Sequence, residues 1–293
     1  MLLLDKPFGM SSNAALQKAR WLFNAEKAGH TGTLDPMATG LLPLCFGEAT
    51  KFSSTLLDAD KTYEATVKLG IVTDTCDAEG KVLATHPVTA TEAEVSAVFR
   101  RFTGEIEQVP PMHSALKRDG KPLYELARQG IEVERAARKV TIHTIEMLAW
   151  HGDSFDLRVA CSKGTYIRTL AADIGNALGC GAHLSALRRT RVGNLDIAQA
   201  VTIEAIEALA VESRDSLLQP TDALLAELPA ERLSEADTAR LLQGQPIRWN
   251  GNADVPSRQR RLFGPQGFIG LGECDEDGWL KPKRLIATLT ANT

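Results

Sequence analysis

Asp35 is the residue of this chain whose neighbours best equip it to do chemistry. It lies in GHTGTLDPMATGLLPLCFGEATK, Gly29 to Lys51, between Thr33-Leu34 and Pro36. A proline confines the residue before it to extended backbone. Gly32 and Gly40 permit close approach and left-handed φ. The segment therefore reads as a stiffened loop that presents one carboxylate. With an ordinary pKa of about 3.9 that group is ionised at neutral pH and able to act as a nucleophile. An Asp-Pro turn is also common loop punctuation, and these residues alone fit both readings.

The basic residues form a second candidate group. From Arg158 to Arg191, Arg158, Lys163, Arg168, Arg188, Arg189 and Arg191 stand against the single acid Asp173, a local net charge of +5. From Asp196 to Asp237, ten acids stand against two arginines, a local net charge of −8. Such segregation gives a chain of overall charge −4 a basic face for a polyanion. Two solvated helix faces would give the same pattern. Lys117, Arg118 and Lys121 add positive charge in the polar stretch from Pro110 to Lys139. The five cysteines are odd in number and widely spaced, which argues against a disulfide framework. Cys180 with His183 offers two ligands where a structural zinc takes four. No Gly-rich phosphate loop or metal cluster appears, so neither cofactor nor metal is expected.

The elements that must position these groups follow from periodicity. The 293 residues are 44% hydrophobic and 24% charged, as in a soluble globular protein. No apolar run approaches the roughly 20 residues of a membrane span. MLLLDKPFG lacks a secretory core, so a cytoplasmic location is expected. Ser12 to Phe23 reads as a helix capped by Ser12, Gly29 to Gly40 as a loop, and the stretch after Gly47 as a short helix. Thr62 to Ile71 alternates over ten residues, with Tyr63, Ala65, Val67, Leu69 and Ile71 facing inward. Tyr63 opens that face, with a ring to stack and a hydroxyl that needs a partner; a plain core tyrosine is the alternative. DAEGK reads as a turn before a returning strand, Lys81 to Thr85. Thr91 and Glu94 form a capping box for a helix to Thr103, ended by Gly104. A short helical piece is expected near Tyr124 to Arg128. Val140 to Leu148 and Phe155 to Cys161 read as paired strands, and Thr165 as the cap of a helix with Ile167, Leu170, Ala171, Ile174 and Leu178 inward. Intermixed strands and helices predict an α+β domain on a mixed, largely antiparallel sheet flanked by helices. An acidic helical stretch through Leu228 would close it. Gly/Pro turns after Pro229 predict a small β-rich domain.

Five blocks in order carry a resemblance to the TruB family of tRNA pseudouridine synthases. They are LLLDKPFGMSS, the Asp35 segment, DADKTYEATVKLG, SKGTYIRTLAADIG and CGAHLSALRRTRVG. The tail GPQGFIGLGECDEDGWLKPKRL resembles the family's PUA-like RNA-binding domain. The resemblance covers nearly the whole chain. It implies the pseudouridine synthase fold over residues 1–228, with a thumb-like insertion at about 108–139, and a PUA-like domain over 229–293. It implies isomerisation of uridine 55 in the tRNA T-loop, in which the C1′–N1 bond breaks, the base turns and C1′ rejoins to C5. Asp35 matches the family's catalytic aspartate, Tyr63 the tyrosine that packs on the target base, and Arg168 the arginine paired with the aspartate. Tyr166 and Leu187 match pocket residues. His30 matches the histidine that fills the T-loop once the base has left it. Arg188, Arg189, Arg191, Lys117, Arg118 and Lys121 are assigned to RNA phosphates. Lys6 and Pro7 read as mainly structural. The routes framed for the family (attack at C1′, attack at C6, a glycal) stay open at the level of sequence.

Three other functions stand beside this one. A non-catalytic RNA-binding or RNA-folding protein of the same fold would not need Asp35, Tyr63 and Arg168 together. A hydrolase acting at an anomeric carbon usually has two carboxylates roughly 5–10 Å apart, and the blocks offer one. A guide-RNA-dependent relative would carry basic tails and partner-binding extensions, whereas this chain begins and ends close to the matched blocks. The expectation is a monomer that acts on the tRNA T-stem-loop without guide RNA or membrane.

Overall fold

Three consecutive leucines at the N-terminus are buried on both faces of one strand, and the rest of the main sheet grows outward from it. The computed structural model describes residues 1–114, 116–118, 120–249 and 257–286, without the side chains of Lys117 and Arg128. The first part runs β1 (Leu2–Lys6), α1 (Ser12–Leu22), β2 (Ala28–His30), β3 (Thr39–Phe46), α2 (Ser53–Leu57), β4 (Lys61–Leu69), β5 (Ile71–Thr73), β6 (Val82–Thr85) and α3 (Glu92–Phe102). Then follow β7 (Gly104–Gln108), β8 (Lys117–Arg118), β9 (Lys121–Pro122), α4 (Leu123–Arg128), β10 (Arg138–Trp150), β11 (Ser154–Cys161), α5 (Ile167–Ala177), β12 (Ala182–Val192), β13 (Leu195–Asp196) and α6 (Ile203–Ala208). The C-terminal part holds β14 (Ala230–Arg232), α7 (Glu235–Leu242), β15 (Ile247–Arg248), β16 (Gln259–Gly264), β17 (Gly267–Cys274) and β18 (Trp279–Leu285).

The main sheet has nine strands in the order β1-β3-β12-β4-β11-β10-β7, with β2 on β3 and β13 on β12. Only β12 with β3 is parallel. Helices α3 and α5 cover one face, around Val67, Phe99, Leu157, Leu170 and Ile174. Leu2 and Leu4 pack with Leu42 and Leu44 beneath α1. Leu3 and Leu41 point the other way, to Phe52, Leu56 and Leu271. Leu271 belongs to the second sheet, β14-β16-β17-β18-β15, so the C-terminal sheet docks on the far face of β1 and β3. That sheet has a core of its own around Leu241, Ile247, Leu262 and Leu280.

The fold is the expected α+β arrangement, with differences of physical interest. The N-cap of α1 is Ser11, whose side chain accepts from the Ala14 amide. Ser12 is buried instead, and its hydroxyl both donates to the Leu34 carbonyl (2.9 Å) and accepts from the Leu34 amide (2.7 Å). Tyr166, not Thr165, occupies the N-cap of α5; the Thr165 hydroxyl donates to the Ser162 carbonyl. The strand predicted to run through Ile71 ends at Leu69, because Gly70 takes φ +79° and turns the chain into the β5–β6 hairpin. The acidic stretch from Asp196 is not one long helix but α6 and three short 3-10 turns. Its acids are partly spent on ion pairs, Glu207 with Lys18 and Asp222 with Arg261.

Strand β12 lies in the middle of the sheet, where the periodicity of the sequence predicts no strand. Register shifts between Leu184 and Ala186, and between Arg189 and Arg191, interrupt its alternation. Three arginines near its end make it look like a solvated stretch. Where β3 passes β12, Gly40 lies opposite Arg189 at φ +103°, and a Cβ there would run into the Arg189 carbonyl. Gly40→Ala is therefore expected to cost at least about 1–3 kcal/mol of stability. Thermal melting reads the loss, and an unchanged midpoint would contradict the close approach.

Candidate active site

The loop from Thr31 to Ala38 is held from several sides. The Thr31 amide donates to the Pro43 carbonyl (3.2 Å) and the Gly9 amide to the Pro36 carbonyl (2.8 Å). Ser12 clasps Leu34 at both its amide and its carbonyl. Beneath the loop Lys6 is fully buried, and its ammonium donates to the carbonyls of Met10 (2.6 Å), Pro7 (2.9 Å) and Pro36 (3.4 Å). Burial pushes its pKa down to about 8, with the Asp35 charge pulling the other way. The Asp35 amide plane is fixed as well, since its carbonyl accepts from the Ala38 amide (3.1 Å).

The Asp35 carboxylate projects into a cleft of about 240 Å³. Its Oδ2 lies 3.0 Å from Nε of Arg168, in the first turn of α5. The Arg168 side chain is buried, and its other nitrogens reach Asp77 Oδ2 (3.2 Å), the Thr75 carbonyl (3.3 Å) and the His113 carbonyl (2.7 Å). One guanidinium thus bridges two carboxylates. Asp77 is itself buried, and its Oδ1 accepts from the Thr75 hydroxyl (2.5 Å) and the Glu79 amide (3.1 Å). Desolvation in the cleft raises the Asp35 pKa above the ordinary carboxylate range; Arg168 opposes that rise and the Asp77 charge adds to it.

Tyr63, Tyr166 and Leu187 line the same cleft. Tyr63 comes from β4, directly across from Arg189 on β12. Desolvation raises the pKa of both tyrosines. The backbone of Tyr166 is locked to Gln108, whose Oε1 accepts from the Tyr166 amide (3.0 Å) and whose Nε2 donates to its carbonyl (3.3 Å). Gln108 and His113 bracket the start of the 108–139 segment, so its base is fastened to the cleft.

Five of the residues proposed to act on the base therefore meet in one place: Asp35, Tyr63, Tyr166, Arg168 and Leu187. His30 does not join them. It lies on β2, outside the cleft lining, with Nδ1 buried and unpartnered among the described residues. Burial, aided by Arg189, lowers its pKa and keeps the ring neutral near pH 7.

The arginines divide. Arg189 is 1% exposed and cannot reach a phosphate, which corrects its assignment to the RNA backbone. Arg188 grips Asp5 with both terminal nitrogens (3.0 and 2.6 Å), so much of its charge is already met. Arg191 is exposed beside Asp196, 3.3 Å away. Arg118 and Lys121 are exposed, Arg118 donating to the Glu134 carbonyl. The side chain of Lys117 lies outside the described residues.

The family model for the N-terminal domain of TruB family pseudouridylate synthase matches residues 20–167, and two models of TruB C-terminal domains match residues 168–226 and 229–286. The chain belongs to the TruB family. It is 62% identical to the tRNA pseudouridine synthase B of Azoarcus sp. (strain BH72), over 99% of this chain and 95% of that protein. It is 58% identical to the protein of the same name from Dechloromonas aromatica (strain RCB), over 98% and 95%. Among solved structures, a chain from a Cbf5-Nop10-Gar1 complex superposes with a TM-score of 0.72 at 28% identity, covering 93% of this chain and 77% of that one. A chain from an H/ACA RNP bound to a substrate RNA gives 0.75 at 24% identity, covering 99% and 85%, a likeness of fold alone. The architecture of this TruB-family chain is that of a pseudouridine synthase, a mixed sheet with flanking helices and a C-terminal β domain.

Two residues of the TruB site were missed in the sequence. Asp77 sits in a DAEGK turn, where an aspartate is ordinary, and its link to Arg168 spans 91 positions. Lys61 lines the cleft two residues before Tyr63, buried, with its ammonium on the carbonyls of Leu56, Leu57 and Ala59 (3.3, 2.8 and 2.5 Å). Its place on the inward face, beside an exposed Asp58 and Asp60, was the available signal.

Proposed function

We propose that this enzyme converts uridine 55 in the T-loop of tRNA to pseudouridine, reading the tRNA itself without a guide RNA, as a cytoplasmic monomer. The observation that carries this is the ionic contact of Asp35 with Arg168 at the cleft, with two tyrosines and Leu187 around the same space. The cleft suits a single extruded nucleoside. Tyr63 stacks on the uracil, Leu187 forms an apolar wall, and Asp35 faces the ribose. The C1′–N1 bond breaks, the base turns, C5 bonds to C1′, C5 gives up its proton and N1 gains one. Atoms are conserved and no oxidant or reductant is used. Extruding a base costs a few kcal/mol, which contacts in the cleft offset. His30 outside the cleft is suited to the gap left in the RNA. The 108–139 segment closes on the RNA, and Arg191, Arg118 and Lys121 meet phosphates.

The test is to incubate the chain with unmodified tRNA transcript in the absence of other RNA and map the product. Pseudouridine at position 55 alone is expected; uracil release, or no change in the RNA, would contradict the reading.

Two further outcomes follow from the charges. Asp35 must be ionised, and its pKa lies above the ordinary value. The rate is therefore full at higher pH and falls on acidification through that raised pKa. The acid limb of kcat/KM is expected above about pH 3.9; a limb at or below it would contradict the desolvated carboxylate. Arg191→Ala is expected to weaken binding across T-loop variants and to reduce the salt slope by about one. An unchanged slope would remove Arg191 from the phosphate contacts.

A further inference from the structure

Arg189 is the largest of the fully buried side chains and carries a charge that the site has not yet accounted for. Its Nε donates to the Leu41 carbonyl at 2.8 Å and its Nη2 to the Gly32 carbonyl at 3.2 Å. Those two carbonyls flank Asp35, one as the chain enters the loop and the other after it has joined β3. Arg189 also lines the cleft beside Tyr63, its register partner across β4 and β12. Among the described residues its acceptors are carbonyls, and no carboxylate forms an ion pair with it. A buried cation without a carboxylate is expensive. Gly40 lets β3 pass close to the Arg189 backbone, because a Cβ there would meet the Arg189 carbonyl.

We propose that Arg189 is a positioning residue for the isomerisation: it ties both ends of the Asp35 loop to the strand position opposite Tyr63 and keeps an unmatched positive charge at the wall of the cleft. The inference rests on the pseudouridine-forming reading. When C1′–N1 breaks, its electron pair stays on the uracil, and negative charge appears beside Tyr63. A fixed cation in a dry site stabilises such charge without having to reorganise. Arginine suits the task because its planar fork holds several acceptors at once, which a lysine ammonium does not.

The experiment compares the full chain with Arg189→Met and Arg189→Lys, using unmodified tRNA and checking folding by thermal melting. Arg189→Met is expected to lower kcat by about 10²–10³-fold, with tRNA affinity and its salt slope unchanged. Arg189→Lys is expected to fall between the two. An unaltered kcat would overturn the proposal, as would a loss of affinity with a shallower salt slope, the mark of a phosphate contact. Should the variants not fold, the Arg189 guanidinium resonances of the otherwise unsubstituted chain are followed on Tyr63→Phe. A shift with faster exchange supports the link, and an unmoved resonance overturns it. An unsubstituted chain that makes no pseudouridine would instead fail the reading on which the proposal rests.

Discussion

Asp35→Asn is expected to abolish pseudouridine formation while tRNA affinity stays within about tenfold of the unsubstituted chain. The substitution replaces one oxygen by nitrogen and keeps the volume. The loop is held by Ser12, Lys6 and the Gly9 amide, none of which touches the Asp35 carboxylate, so the fold has no reason to move. What changes is charge. Among the described residues the carboxylate is the only acid in contact with Arg168 that also faces the cleft, since Asp77 is buried behind it. Product mapping and filter binding on the same preparations separate chemistry from recognition. Turnover at a substantial fraction of the normal rate would show that the carboxylate is not required.

Arg168→Met is expected to remove activity and also to destabilise the protein, by about 3–5 kcal/mol. The guanidinium and Asp77 are both buried, and deleting one partner strands the other charge. Asp35 and Asp77 would then face each other without a mediator, and the loss of the Arg168 charge would raise the Asp35 pKa further. The companion change separates the two effects. Asp77→Asn keeps acceptor and donor atoms near Thr75 and Glu79 but removes a negative charge that raises the Asp35 pKa. Its acid limb is expected to move to lower pH. In the Arg168→Met background, Asp77→Asn should restore part of the lost stability, because it neutralises the stranded charge. Denaturant unfolding of the four proteins reads this coupling. Strictly additive losses would contradict a shared ionic network.

The parts of the fold visible in the sequence were those written in local alternation. The buried face of β4, the capping box of α3 and the inward face of α5 are each set by neighbours within a few residues. The Asp35 loop was equally legible, because a proline and two glycines restrict its backbone directly. Strand β12 was not, since its two register shifts break the period and its buried arginine imitates a surface residue. For the same reason Arg189 was assigned to phosphate, while its true acceptors are carbonyls about 150 positions away. Asp77 was hidden because its partner lies on a helix far along the chain, and a turn aspartate carries no local mark of burial. Ser11 and Ser12 are adjacent, and only the depth of the Leu34 loop decides which of them caps the helix.

The most direct measurement is a structure of the Asp35→Asn protein with a T-stem-loop RNA. Uridine 55 is predicted to be turned out of its loop, its ring against Tyr63 with Leu187 as the far wall, and its C1′ in contact with the side chain at position 35. A uridine that remains stacked in the RNA, or one that enters the protein with its ribose away from that side chain, would contradict the account.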